Sequence, residues 1–252
     1  NRFYIFIISI ALLSFISFYD DIKPLDPRIR LIVQTIIIYF SLTLIDLNYF
    51  DFPLKLMIFL SLIIWIYITN ITNFIDGSDG YLSVNAISFF LGIILIDQYY
   101  PENFFSIYIA IIFFPILFSF IYFNKPKAKM YMGDTGSILI GYVIGFCLLE
   151  LILSDYWYLA IGLYSYPLLD CSITLIKKIF SGRSVFKRDF DYFFLKPIKK
   201  LQTNNYKVLS ISIIFNSLNL LIVFSVLYFQ IPLIILASII LSFIKIKIFK
   251  LL

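Results

Sequence analysis

Apolar residues along the chain fall into nine runs, 3–18, 29–45, 56–69, 82–96, 104–123, 137–153, 156–176, 208–229 and 231–244, separated by shorter polar stretches. Several runs are shorter than the roughly 20 residues a straight membrane-spanning helix uses, so their ends are fixed only to within a few residues. The pattern predicts an all-α, polytopic integral membrane protein with about nine transmembrane helices. The last two runs meet at Gln230 and Pro232, a tight turn. The widest polar interval, 177–207, reads as a large loop inside a single membrane domain that covers 1–252. No internal repeat is visible. The chain opens at Asn1 directly into an apolar run, without the basic flank and small-residue cleavage site of a signal peptide, and so reads as N-terminally truncated.

Composition narrows the class. Hydrophobic residues make up 62% of the chain and charged residues 14%, with a mean hydropathy of +0.97, which excludes a water-soluble domain. Cys147 and Cys171 both lie inside apolar runs, where cysteine acts as a small packing residue, and a disulfide framework is not expected. Histidine is absent. A general base must then be a carboxylate or a substrate phosphate, and a zinc site of the usual His and Cys type is excluded.

Nine spans place successive loops on alternating sides, and eighteen of the twenty Lys and Arg residues fall on one side, with only Arg2 and Lys55 on the other. The positive-inside rule puts the basic face, and the C-terminus with it, in the cytoplasm. Asp20, Asp21, Asp76, Asp79, Asp134, Asp189 and Asp191 share that face. Topology explains basic residues there; it does not explain carboxylates in short loops between apolar spans.

The stretch from Asn70 to Gly80, NITNFIDGSDG, sets Asn70, Asn73, Asp76 and Asp79 at a spacing of three directly after an apolar run. That spacing keeps successive members near one face of a helix and its exit turn, and Gly77 and Gly80 allow close backbone approach to a ligand. A single polar residue at a helix exit is an ordinary loop residue; four in this register suggest a polar cleft. Two further loops carry Asp20 with Asp21, and Asp134 in KMYMGDTGS. Adjacent carboxylates repel unless a cation compensates them. With oxygen ligands alone, magnesium is the fitting cation, held by one or two carboxylates plus substrate phosphates. The start of the sixth span, Gly133 to Ser137, turns backbone N–H groups and a positive helix end toward a prospective anion. Lys125, Lys127 and Lys129 precede it, and Arg183, Lys187 and Arg188 lie in the large loop. Each of these cations alone is a topology charge, and their convergence with the acids points to phosphates.

FYDD ending at Asp21, NITNFIDGSDG, AKMYMGDTGS and YPLLD ending at Asp170 together resemble, in order, the motifs of the polyprenyl-phosphate N-acetylhexosamine-1-phosphate transferases. That superfamily includes phospho-N-acetylmuramoyl-pentapeptide transferase and the enzymes that start O-antigen and teichoic acid synthesis. The resemblance implies transfer of a sugar 1-phosphate from a UDP-sugar to undecaprenyl phosphate with release of UMP, dependent on Mg2+. It also implies a multi-pass protein of the bacterial inner membrane with a cytoplasmic active site and a role in cell-envelope polysaccharide synthesis. No nucleic acid is implied, and a homodimer is compatible. The family's ten or eleven spans imply that one or two N-terminal helices are missing here.

By motif, Asp134 resembles the metal ligand and Asp20 and Asp21 the paired acids, one of which orients or deprotonates the lipid phosphate. Asn73, Asp76 and Asp79 match positions around the nucleotide, with Asp76 and Asp79 taken with the paired acids as catalytic candidates, Tyr131 matches the aromatic that stacks on uracil, and Asn70 and Lys129 are further substrate-binding candidates. One departure stands out: where the family carries a His-rich signature, this chain reads SVFKRDFDYFFLK, which leaves Arg188 and Asp189 as the candidate substrate-binding pair. Two alternatives are a secondary transporter or channel with membrane-embedded carboxylates and a non-catalytic homologue. Transporters place coupling acids near the bilayer midplane, and these acids sit at one interface.

Overall fold

The computed structural model describes residues 2–47, 52–100, 105–184, 191–201 and 205–252. Its elements are α1 (Arg2–Ile22), α2 (Pro27–Ser41), α3 (Leu54–Ile75), α4 (Tyr81–Tyr99), α5 (Phe105–Asn124), α6 (Gly133–Ile152), α7 (Trp157–Phe180), α8 (Lys196–Leu201), α9 (Asn205–Phe229) and α10 (Leu236–Leu251). Short 3-10 turns occupy Leu42–Leu44, Phe193–Leu195 and Pro232–Ile235. Among the described residues, nine helical segments are long and apolar enough to cross a membrane, and they coincide in order with the nine apolar runs. The chain is therefore all-α and multi-span.

The helices run past the apolar runs at the ends that matter. α1 continues through Asp20 and Asp21, α3 through Asn70 and Asn73, and α6 begins at Gly133, so Asp134 lies in its first turn. Apolar content marks where a helix meets lipid, whereas the backbone hydrogen-bond ladder continues into the polar turn that follows.

The chain divides into two units, Asn1–Asn73 with Met132–Trp157, and Phe74–Tyr131 with Tyr158–Leu252. In the first, α3 and α6 meet through small residues. A Cβ on Gly141 would come within 2.6 Å of the Thr69 carbonyl oxygen, and one on Gly145 within 2.4 Å of the Trp65 ring. Trp65, fully buried, donates its Nε1–H to the Tyr142 carbonyl at 2.8 Å and stacks on the Tyr142 ring with centroids 5.0 Å apart. The Tyr142 hydroxyl donates to Ser41 Oγ at 2.8 Å, which ties α2 to the same core. α2 starts sharply because Asp26 caps it, accepting from the Arg28 N–H at 2.7 Å, with Pro27 in the first helical position.

In the second unit, α7 bends at Tyr164, whose φ and ψ of −117° and 17° leave the helical range. Pro167 lies three residues on and cannot donate into the preceding turn. The bend opens a polar cavity lined by Asn85 and Ser88 of α4, Asn216 and Asn219 of α9, and Ser242 and Lys245 of α10. Lys245 is 1% exposed. The sequence places it in a cytoplasmic tail; α10 instead extends to Leu251 and turns Lys245 inward, on the same buried face as Ser238 and Ser242.

Candidate active site

Three helix ends converge in the first unit. Asp20 closes α1, Arg30 stands in the first turn of α2, and Asp134 in the first turn of α6. Arg30 Nη1 lies 2.6 Å from Asp20 Oδ2 and 2.5 Å from Asp134 Oδ2, so one guanidinium nitrogen is shared by two carboxylates. Asp20 is also held by the Leu25 N–H, which donates to Oδ1 at 2.6 Å. The side chains of Asp20 and Asp134 are 8% and 13% exposed and that of Arg30 is 29% exposed, which makes the cation the most accessible member of the three.

Asp21 takes a different role from its neighbour. Its Oδ1 accepts from the Asp134 N–H at 3.0 Å, and its Oδ2 accepts from the Thr135 N–H at 3.0 Å and the Thr135 hydroxyl at 2.6 Å. The carboxylate thus caps α6 from another helix, where unpaired N–H groups and the positive dipole end favour an anion. The sequence expects that helix start to face a ligand anion, and here the anion is the chain's own. Gly133, with φ of 64°, is needed for the approach, since a Cβ there would stand 2.9 Å from Asp21 Oδ2.

On α3, Asn70 donates to Gln34 Oε1 at 2.9 Å and to the Ile66 carbonyl at 2.9 Å, and Asn73 donates to Ser137 Oγ at 2.9 Å. Ser137 in turn donates to the Gly133 carbonyl at 2.8 Å. Asn73 therefore reaches the same first turn of α6 that Asp21 caps.

The remaining acids and the aromatic belong to the second unit. Asp76 is half-buried, just beyond the end of α3. Asp79 Oδ2 accepts from the backbone N–H groups of Lys127 and Ala128 at 3.1 and 3.3 Å, so it anchors the α5–α6 connection. Asn124 braces the same turn, accepting from the Gly80 N–H and the Ser83 hydroxyl at 3.1 and 2.8 Å and donating to the Met130 carbonyl at 3.0 Å. Gly80 has φ of 71°, a conformation that suits glycine. Lys129 is exposed and Tyr131 is 75% exposed, a large aromatic face offered outward. Arg188 and Asp189 lie outside the described residues. The flanks of their loop are tied by an ion pair between Arg183 and Asp191, and beyond it Tyr192 to Leu195 are buried. Burial pulls the Lys196 ammonium below its usual range, and the Lys177 cation pushes it the same way.

Two groups escaped the sequence reading as site or anchor residues. Arg30 passes there for a topology charge, yet the short α1–α2 connection, 23–26, already brings it beside Asp20. Asp170 is fully buried, accepting from the Tyr166 hydroxyl at 2.8 Å and the Phe193 and Phe194 N–H groups at 2.9 and 3.3 Å.

A multi-span all-α protein with acids at the ends of α1 and α6 bridged by a basic residue is a membrane protein whose polar chemistry is concentrated at helix termini. The sequence model of glycosyl transferase family 4 matches residues 3–152, well over half of the chain, and the chain belongs to that family. Individual relatives agree. Over 223 residues, 87% of this chain and 70% of the relative, it is 26% identical to an undecaprenyl-phosphate alpha-N-acetylglucosaminyl 1-phosphate transferase of Thermotoga maritima. It is 32% identical over 91 residues to a phospho-N-acetylmuramoyl-pentapeptide-transferase of Leuconostoc citreum, 35% of this chain and 28% of the relative. A protein of the same name from Clostridium beijerinckii is 27% identical over 208 residues, 74% of this chain and 64% of the relative. The chain thus spans between 28% and 70% of the length of these three relatives.

Proposed function

We propose that the protein transfers a sugar 1-phosphate from a UDP-N-acetylhexosamine to undecaprenyl phosphate, releasing UMP and leaving a lipid-diphosphate sugar. The observation that carries the reading is the convergence of Asp20, Arg30 and Asp134 from three helix ends, inside the stretch matched by the family. In this reaction an oxygen of the lipid phosphate attacks the β-phosphorus of the donor, the bond from that phosphorus to the bridging oxygen breaks, and UMP departs with the electron pair. Two anions must meet, so catalysis needs positive charge and fixed donors more than a proton-transfer relay.

Magnesium fits the residues present. Among the described residues no three His, Cys, Asp or Glu side chains gather as a metal site of their own, and magnesium asks for only one or two carboxylates when substrate phosphates complete its shell. Asp134 would hold it, with Asp20 as the second oxygen donor, and when bound it would neutralise charge on the diphosphate. Asp21 keeps Asp134 in place by fixing the backbone of the α6 start. Asn73 braces the same turn through Ser137. Tyr131, 75% exposed, offers an aromatic face on which a nucleobase would stack, and Asp76, Lys129, Arg188 and Asp189 remain candidates for substrate binding from their sequence motifs. The site faces the cytoplasm, where UDP-sugars are made, across the inner membrane of a bacterium, in agreement with the bias of eighteen basic residues against two.

The test is incubation of the full-length protein in detergent with Mg2+, undecaprenyl phosphate and a panel of UDP-sugars. UMP release that requires both the lipid phosphate and a UDP-N-acetylhexosamine is the expected result. UMP release from none of the donors refutes the reading.

A further inference from the structure

We propose that Arg30 is a placeholder cation: its guanidinium stands between Asp20 and Asp134 where the divalent ion binds, and the two cations occupy that position in exchange. The inference rests on the metal-ligand reading of Asp134 given above and concerns how the site is held when no metal is there.

The first argument is geometric. Arginine–carboxylate pairs are frequently bidentate, the planar fork presented to a single carboxylate. Arg30 instead places one nitrogen, Nη1, against one oxygen from each of two carboxylates, at 2.6 and 2.5 Å. Those two oxygens cannot be more than about 5 Å apart, and sharing a single positive centre between two oxygens is what a metal ion does. The neutralisation is needed, since two carboxylates this close in a partly buried pocket repel strongly.

The second argument is that the carboxylates do not depend on Arg30 for their positions. Asp20 is fixed by the Leu25 N–H on its other oxygen. Asp134 is carried by the first turn of α6, which the three hydrogen bonds from Asp134 and Thr135 to Asp21 hold in register, and which Asn73 braces through Ser137. Removing the guanidinium would leave the backbone that carries both carboxylates in place. The third argument is access: Arg30 is the most exposed of the three side chains and stands in the first turn of its helix, so it can leave without disturbing α1 or α6.

Exchange makes Arg30 a competitor of the metal. The experiment measures Mn2+ binding to the full-length detergent-solubilised protein by the loss of the free-ion electron paramagnetic resonance signal, with no substrate present. Arg30→Gln should bind Mn2+ at least about tenfold more tightly than wild type, and its thermal midpoint in chelator should fall below wild type and recover on adding Mn2+. Equal or weaker Mn2+ binding by Arg30→Gln overturns the exchange. Asp134→Asn separates the two readings: if it loses Mn2+ binding while Arg30→Gln shows no gain, the metal site stands and the exchange fails. If Asp134→Asn binds Mn2+ like wild type, the metal assignment itself is wrong and the exchange falls with it. Should Arg30→Gln not fold, the wild-type protein supplies the answer through phenylglyoxal labelling of Arg30 followed by mass spectrometry. Mg2+ should raise that labelling at least about threefold, and labelling unchanged or reduced by Mg2+ overturns the proposal.

Discussion

Asp134 in the first unit and Asp170 in the second are both carboxylates on membrane helices, and the chain satisfies them in opposite ways. Asp170 is completely buried, and the partners it accepts from are neutral: the Tyr166 hydroxyl, two backbone N–H groups and, at 3.5 Å, the Thr174 hydroxyl. Lys245 stands nearby, but its ammonium is spent on the Tyr166 ring, 3.9 Å from the centroid, and on Asn216 Oδ1 at 3.4 Å. Asp134, by contrast, meets a cation borne by another helix, Arg30. A carboxylate saturated by fixed neutral donors has no capacity left for a ligand and works as an anchor. One whose partner is a side-chain cation keeps a position that another cation can take.

The largest expected effect tests the site half of that contrast. Asp134→Asn retains shape and loses charge, so UMP release should fall by far more than tenfold, a barrier increase well above about 1.4 kcal/mol, with the thermal midpoint near that of wild type. A rate above about a tenth of wild type at saturating Mg2+ would remove Asp134 from the role of metal ligand.

Asp170→Ala tests the other half. It strips two buried backbone N–H groups of their acceptor, each costing about 1–3 kcal/mol. The segment Phe193–Phe194, stacked through Phe194 on Tyr81 at 4.2 Å, should then detach. The thermal midpoint should drop by roughly 5–10 °C, a loss Asp134→Asn does not show. Equal midpoints for the two variants would erase the distinction.

Asp20 and Asp21 sharpen the contrast within one helix turn. Asp21 acts by accepting hydrogen bonds at a helix start through both of its oxygens; asparagine keeps one acceptor and sets its NH2 against a backbone N–H, so Asp21→Asn weakens the cap but leaves the Arg30 cluster its charges and should lose activity only several-fold. Asp20→Asn removes charge from the Arg30 cluster and should cost more than tenfold. The comparison is read in UMP release at fixed Mg2+; the reverse order, or two silent variants, would show that the paired acids are not divided as the geometry divides them.

How much of this is legible beforehand depends on which physical signal dominates. Hydrophobicity is strong and local, and the nine spans emerge from it in the right order. Helix ends do not, because Asp20, Asp21, Asn70 and Asn73 sit in helical turns whose backbone bonds are indifferent to side-chain polarity. Arg30 and Lys245 are obscured by the rule that reveals the topology, since every cation on the basic face already has an explanation. For Lys245 a usable signal existed, the buried spacing Ser238, Ser242 and Lys245 along one helical face. For Asp21, nothing in the sequence says that an acid at the end of α1 will cap α6 across 113 residues of chain.

Asp79 lies between the two types, and the smallest expected effect comes from it. It is half-buried and of the same NITNFIDGSDG motif as Asp76, which argues for a substrate contact; but its Oδ2 is occupied by the Lys127 and Ala128 N–H groups, which argues for an anchor. The amide oxygen of asparagine can accept the same two bonds, whereas alanine cannot. If Asp79 is an anchor for the connection that carries Lys129 and Tyr131, Asp79→Asn should change kcat by less than about threefold. Asp79→Ala should then lose about 1 kcal/mol of loop stability and raise the KM for the UDP-sugar about fivefold, because the Tyr131 ring proposed to stack on uracil loses an anchor of its connection. If the charge itself meets the substrate, Asp79→Asn and Asp79→Ala should fall together, both in kcat. Steady-state kinetics on the two variants distinguish these outcomes, and a matched collapse of kcat would move Asp79 from the company of Asp170 to that of Asp134.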